Sequence, residues 1–200
     1  MTKEEKIKLS LNWAIQTLKD ILRELIEKLE NTTYPIITTI CSGIDFMGGL
    51  MDGFHRENSK SRTINYITKY MGKVNPIYLN TDFAIYFYKY VRNYLIHQIN
   101  GSVWHGINEA HEYHLKRILD DDSDMLFIHA SLLKDEFIEA LDYFCEDYKN
   151  DKDFEKRVLS NYEASITIDE EVRNKLLQFS VPIISLNELS LEELRKFKPL

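Results

Sequence analysis

The sequence predicts a mainly α-helical bundle, and three observations carry that prediction. Near the N-terminus, Ile7, Leu11, Ala14, Leu18, Ile21, Leu25 and Leu29 recur at alternating steps of four and three, the spacing that lines one face of a helix. Residues 79–99 are apolar almost all round, as a helix at the centre of a bundle must be. Capping-box pairs stand at Thr2 with Glu5, Thr167 with Glu170 and Ser190 with Glu193, each ahead of a helical pattern. A small β-hairpin near residues 112–130 is the expected exception. The predicted organisation is one helical bundle over residues 1–165 that includes the hairpin, with a C-terminal helical appendage at 166–200 packed on the same domain.

The first helix follows from the Thr2/Glu5 box and the stripe behind it, a face that packs within the chain or lends part of itself to a partner. After Asn31, Thr32 and Thr33, Pro35 suits a helix start, and Ile36, Ile37, Ile40, Cys41, Ile44, Met47 and Leu50 form a second, more buried helix. Gly43, Gly48 and Gly49 are costly there unless another backbone approaches closely. Asp45, among these apolar residues, needs a partner if it is buried.

Residues 53–60 read as a polar loop, and Ser61 is expected to open a short helix with Ile64, Ile67 and Met71 on one face, ended by Gly72. Residues 73–76 connect it to the central helix. There Phe83, Phe87, Tyr90 and Tyr94 lie on one stripe and Ala84, Val91 and Leu95 on the next, until Asn100-Gly101 stops the helix. Segments 112–119 and 125–130 flank Asp120-Asp121-Asp122-Ser123 as the hairpin. Helix returns at about Ser131 with Leu133, Phe137, Ala140, Leu141 and Phe144, and again from Asp153 through Phe154, Val158 and Tyr162. An extended segment at 181–186 separates the two terminal helices.

A chain of 200 residues with 44% hydrophobic content can bury a full core without staples. Cys41 and Cys145 lie in helical patterns and read as small buried hydrophobes in a reducing compartment, so no disulfide is expected. The N-terminal stretch has no secretory pattern, and no apolar run has the length of a membrane span. A cytoplasmic protein with no membrane partner is the expectation. The net charge of −7 argues against a generic duplex-DNA binder, which gains affinity by neutralising phosphates, yet it leaves room for a local basic site.

The chemistry concentrates at the end of the central helix, in Arg92-Asn93-Tyr94-Leu95-Ile96-His97. This segment resembles the motif of the HEPN family, in which an arginine, usually followed by a polar residue, is separated from a histidine by a few positions. The resemblance extends over roughly residues 9–98 and includes CSGIDFMGGL at 41–50, which looks like a segment of uncharacterised bacterial HEPN-like proteins. It implies a HEPN-like bundle with the motif on a late core helix. It also implies metal-independent RNA cleavage, in a defence or stress system, by attack of the ribose 2′-oxygen on the adjacent phosphate. On this chain His97 is then the general base or acid, Arg92 stabilises phosphorane charge, and Asn93 orients one of them. The residue types suit these roles, since histidine titrates near neutrality and guanidinium offers a planar fork to phosphate oxygens.

A five-residue separation sets Arg92 and His97 about 140° apart on an ideal helix, so a shared site needs the reach of Arg92 or a second copy of the helix across a two-fold axis. The family's composite dimer sites point the same way, and a homodimer is expected. Ile99 stands where relatives with a nucleotidyltransferase partner carry a tyrosine, which counts against that version of the family's role. Trp104, His105 and Asp45 are the candidate substrate-binding residues, Trp104 or His105 by contact with a nucleotide base.

A different class of function uses the same residues without chemistry: Arg92 pairs with Asp45 or another carboxylate, His97 donates to a backbone carbonyl, and the chain is a noncatalytic homodimeric helical binding protein. The cluster His105, His111, His114, Glu109 and Glu112 lacks the spacing of a zinc helix, so neither a metal nor a cofactor is expected, and these histidines read as loop residues. His55, Arg56, Lys60 and Arg62 read as solvated loop charge, and 120–124 as a turn because it lacks the glycine and terminal glutamate of a calcium loop.

Overall fold

Helix α1 (Lys3–Lys28) starts at a closed capping box: the Thr2 N–H donates to Glu5 Oε2 at 2.6 Å, and the Glu5 N–H donates to Thr2 Oγ1 at 3.2 Å. Its buried face carries Leu11, Ile15 and Leu22 against α2 (Thr33–Asp52), while Leu9, Trp13 and Ile21 remain exposed. The computed structural model describes residues 2–28, 33–92, 103–106, 112, 114–120 and 123–166. By its contacts the chain divides into two compact units, Met1–Ser165 and Ile166–Leu200. The elements described below lie in the first, apart from Ile166 at the end of the last helix.

Helix α2 is the most buried element, with Ile37, Ile40, Cys41, Ile44, Met47 and Leu50 closed off from solvent, and it packs against α1, α3 (Ser59–Tyr66) and α6 (Ala130–Asn150). Its glycines supply the close approaches expected of them. A Cβ on Gly48 would lie 2.6 Å from the Arg62 carbonyl oxygen, so the missing side chain lets α3 cross directly over α2. Gly43 makes the same room for the Phe137 ring.

Segment 53–60 is shorter as a loop than its polarity suggests: a 3₁₀ turn at Arg56–Asn58 leads into α3 at Ser59. The helix does not stop at Gly72. It passes through a π-helical turn, Ile67–Met71, into one last α turn, α4 (Gly72–Val74), in which Gly72 has αR backbone and lies against the Leu79 side chain. A 3₁₀ turn (Pro76–Leu79) follows, in which Leu79 is 60% exposed.

The central helix therefore begins at Thr81 rather than at Leu79. Asn80 caps α5 (Thr81–Tyr86) by accepting the N–H groups of Asp82 and Phe83, at 2.9 and 3.2 Å. A second π turn, Phe87–Arg92, continues it, with Ala84, Phe87 and Val91 buried. The expected stop at Asn100-Gly101 lies outside the described residues, as do residues 93–99.

Three strands form one sheet in the order β1-β3-β2. β2 (Arg117–Asp120) runs antiparallel to β3 (Ser123–His129), and β1 (Val103–Gly106), which the sequence pattern leaves as loop, pairs with β3 in parallel. Residues 121–122 between β2 and β3 are outside the described set. The sheet runs straight into α6 through His129, whose Nδ1 accepts the Leu132 N–H at 3.3 Å. Helix α6 lays Leu133, Phe137, Ala140, Leu141 and Phe144 on the core, and α7 (Lys152–Ile166) adds Phe154, Val158 and Tyr162. The predicted capping boxes at 167–170 and 190–193, the extended 181–186 segment and the appendage to which they belong lie outside the described residues. Among the described residues no helix is long and apolar enough to cross a membrane.

Candidate functional site

Asp45 is the meeting point of three elements. Because Gly48 brings α3 onto α2, three residues of α3 reach the carboxylate: Arg62 through Nε to Oδ1 at 3.2 Å and Nη2 to Oδ2 at 3.1 Å, Thr63 Oγ1 at 3.2 Å and Ser59 Oγ at 3.3 Å. From the end of the second π turn, Arg92 Nη2 reaches Oδ2 at 3.4 Å. The structure thus brings together two of the residues singled out in the sequence, Arg92 and Asp45. It also corrects the reading of Arg62, which is buried rather than a solvated loop charge. Its Nη1 holds the carbonyls of His55 at 3.1 Å and Gly53 at 3.5 Å, and the Phe54 ring centroid lies 5.7 Å from its Cζ.

Electrostatics follow from this geometry. Burial disfavours the Asp45 carboxylate, but hydrogen bonding from Arg62 and the charges of Arg62 and Arg92 outweigh it and hold the carboxyl below its ordinary range. Burial pushes the Cys41 thiol up to about 12 despite the pull of Arg92, so it is a packed, inert group. Two guanidinium groups thus meet at one carboxylate. The Arg92 Cζ also stands 5.5 Å from the centroid of the Tyr88 ring.

Of the other candidates, Asn93 and His97 lie outside the described residues. Trp104 and His105 belong to β1, which pairs with β3 and also contacts α2. Val103 and Trp104 are residue types that favour strands, a signal outweighed in the sequence by the polar context around them.

A second carboxylate is built differently. Glu136 on α6 accepts from Tyr78 Oη at 2.6 Å, Asn75 Nδ2 at 2.7 Å and His114 Nε2 at 3.1 Å. The His129 backbone N–H donates to His114 Nδ1 at 3.0 Å, which fixes the proton of a neutral imidazole on Nε2. His114 is therefore a buried tie between sheet and bundle rather than a loop residue. Both of its ring nitrogens are engaged. Burial opposes ionisation of Glu136 as well, and its three donors again hold the carboxyl below the usual range. Among the described residues no group of three or more His, Cys, Asp and Glu side chains could hold a metal ion. His111 and Glu109 are outside them.

The sequence reading missed Arg62, Asn75, Tyr78 and Glu136. A signal existed for two of these: Arg62 is four residues before buried Tyr66, and Glu136 lies between Leu133 and Ala140 on the apolar stripe of α6, so each charge falls on a core-facing row. No family model, curated protein or solved structure matches the chain.

Proposed function

We propose that the chain is a metal-independent endoribonuclease of the HEPN type, working as a homodimer. The observation that carries the proposal is the meeting of two guanidinium groups, Arg62 and Arg92, at the Asp45 carboxylate, with Arg92 at the start of the motif-like segment. A pair of guanidinium groups in a largely desolvated setting suits an anionic ligand, and the Arg92-Asn93…His97 segment is the part of the chain that resembles an RNA-cleaving motif. In this reading Arg92 binds the scissile phosphate, His97 moves the proton, and Asn93 orients one of them. The ribose 2′-hydroxyl loses its proton and its oxygen bonds to phosphorus. The bond to the 5′-oxygen breaks, that oxygen takes up a proton, and a 2′,3′-cyclic phosphate remains. Trp104 and His105 on β1 are the proposed base contacts.

The test is incubation of purified protein with mixed RNA in the presence of chelator, repeated with Arg92→Ala and His97→Ala. The expected outcome is cleavage by the wild type and loss of about 100-fold or more in each variant, the scale of a lost acid–base or charge-stabilising group. Cleavage that never appears, or that survives both changes, overturns the proposal. The network around Asp45 favours one other reading, a noncatalytic homodimeric interaction protein in which Arg92 serves the core, and the first of those two failures is its expected result.

A further inference from the structure

Helix α1 carries apolar side chains on two faces, and the core uses one of them. Leu11, Ile15 and Leu22 are buried against the bundle, whereas Leu9, Trp13 and Ile21 are 60%, 49% and 45% exposed. These three belong to the five large apolar side chains left exposed among the described residues, so the exposure is concentrated on one helix rather than scattered singly. With half-buried Thr17 they stand four residues apart, at 9, 13, 17 and 21, and so form one ridge of the kind that packs into the groove of another helix. Leu18, one turn from Ile21, lines an open cleft between α1 and α2 whose other walls include Thr38, Gly43 and Phe46. The apolar surface therefore continues beyond the ridge.

The charges beside the ridge have opposite signs at its two ends. Lys6 precedes it, while Asp20 and Glu24 stand at its far end; all three are exposed, and on an ideal helix they fall within about 40° of one another. A second exposed row has the reverse order, with Glu5 at the start and Arg23, which also pairs with Asp20 at 3.4 Å, at the far end. An antiparallel copy of the same helix meets each row with the opposite sign.

We infer that this face of α1 docks a second copy of the chain, with the two α1 helices antiparallel about a two-fold axis between Trp13 and Thr17. Such a contact requires one patch to match itself, and this patch does. Leu9 of one copy meets Ile21 of the other, Trp13 covers the smaller Thr17, and Lys6 reaches the acidic end. Tryptophan is also among the side chains that most often anchor an interface. The ridge with its cleft is small beside the roughly 800 Å² per partner of a standard interface, so a dimer that forms at micromolar concentration is expected. The inference goes beyond the ribonuclease reading and is carried by α1 alone.

The experiment is sedimentation equilibrium of the full chain, in which the average mass is expected to rise from one chain toward two between about 1 and about 200 µM. Trp13→Asp should weaken association about 30-fold or more and Leu9→Lys about tenfold, the scale of interface anchors. Both side chains are about half exposed or more, so the fold should survive, which an unchanged far-UV circular dichroism spectrum checks. Lys6→Glu should weaken association about threefold at low salt, and adding Asp20→Lys should restore it, a rescue that a merely structural lysine would not give.

A wild type that stays monomeric overturns the inference, whether Trp13 is then open to iodide quenching, shielded within the chain or seated on lipid vesicles. A dimer that survives both Trp13→Asp and Leu9→Lys, or a charge reversal without rescue, overturns it as well. RNA cleavage is assayed separately. Association through α1 without cleavage removes the ribonuclease reading and leaves this interface standing, whereas cleavage that needs Arg92 and His97 in a chain that stays monomeric removes the interface and leaves the chemistry standing.

Discussion

Asp45 and Glu136 are both largely buried carboxylates on core helices, and both are more acidic than an ordinary carboxyl, yet they are satisfied by opposite means. Glu136 is surrounded by an amide, a phenol and an imidazole that are all neutral in the arrangement seen, so its cluster keeps the charge of one carboxylate. Asp45 is surrounded by two guanidinium groups and two hydroxyls, so charged donors do most of the work there. The difference teaches that two buried carboxylates can reach a similar acidity by unlike means, one through neutral hydrogen bonds and the other through opposite charge.

The largest expected effect breaks the Asp45 cluster. Arg62→Met removes the clamp and leaves the Gly53 and His55 carbonyls without their donor, and should cost about 3–5 kcal/mol of stability in urea unfolding, the scale for breaking a buried ion pair. A loss below about 1 kcal/mol would mean that Arg92 alone suffices for Asp45.

Glu136→Gln should cost less, about 1–3 kcal/mol, since the amide keeps one acceptor oxygen but turns its NH₂ toward groups that are themselves donors. Its pH dependence has a definite sign. A carboxyl more acidic in the folded than in the unfolded chain contributes stability above its unfolded value, near 4, and loses it as pH falls through the folded value. The stability gap between wild type and Glu136→Gln should therefore be widest near neutral pH and narrow on acidification. A gap that widened toward acid would show that Glu136 is not the titrating group.

Tyr78→Phe is the finest probe of the neutral cluster. It deletes the 2.6 Å bond to Glu136 but leaves Asn75 and His114 in place, and should cost about 1–1.5 kcal/mol. Because this contact lies outside the Asp45 cluster, combining Tyr78→Phe with Arg62→Met should give additive losses to within about 0.5 kcal/mol, and a larger departure would show that the two clusters are coupled.

Much of the helical frame was legible because its signals are local. The Thr2/Glu5 box, the apolar stripes of α1, α2 and α6, and the close approach demanded by Gly48 are each written in a few neighbouring residues. What escaped was non-local or off-period. The parallel pairing of Val103–Gly106 with β3 depends on residues more than twenty positions away, and four residues carry little strand signal of their own. Arg62 was misread because its neighbours Lys60 and Ser61 are polar, although its buried neighbour Tyr66 lies one turn on. At the candidate site, the need of Asp45 for a partner was visible, and Arg92 was among those considered. Arg62, which supplies most of the pairing, was not.

The π turn at Phe87–Arg92 gives the residue count of that segment a meaning of its own. A turn closed by i to i+5 bonds carries one residue more than an α turn, so the side chains at its end leave the row that a regular helix would give them. Arg92 is the last residue of that turn and meets Asp45 from there. Deleting one residue between Phe87 and Val91 would let the segment relax into ordinary helix, with all its chemistry intact and its guanidinium aimed elsewhere. In related chains, length across this turn is therefore as informative as residue identity: a chain that keeps the arginine but is one residue shorter would have lost the contact with Asp45.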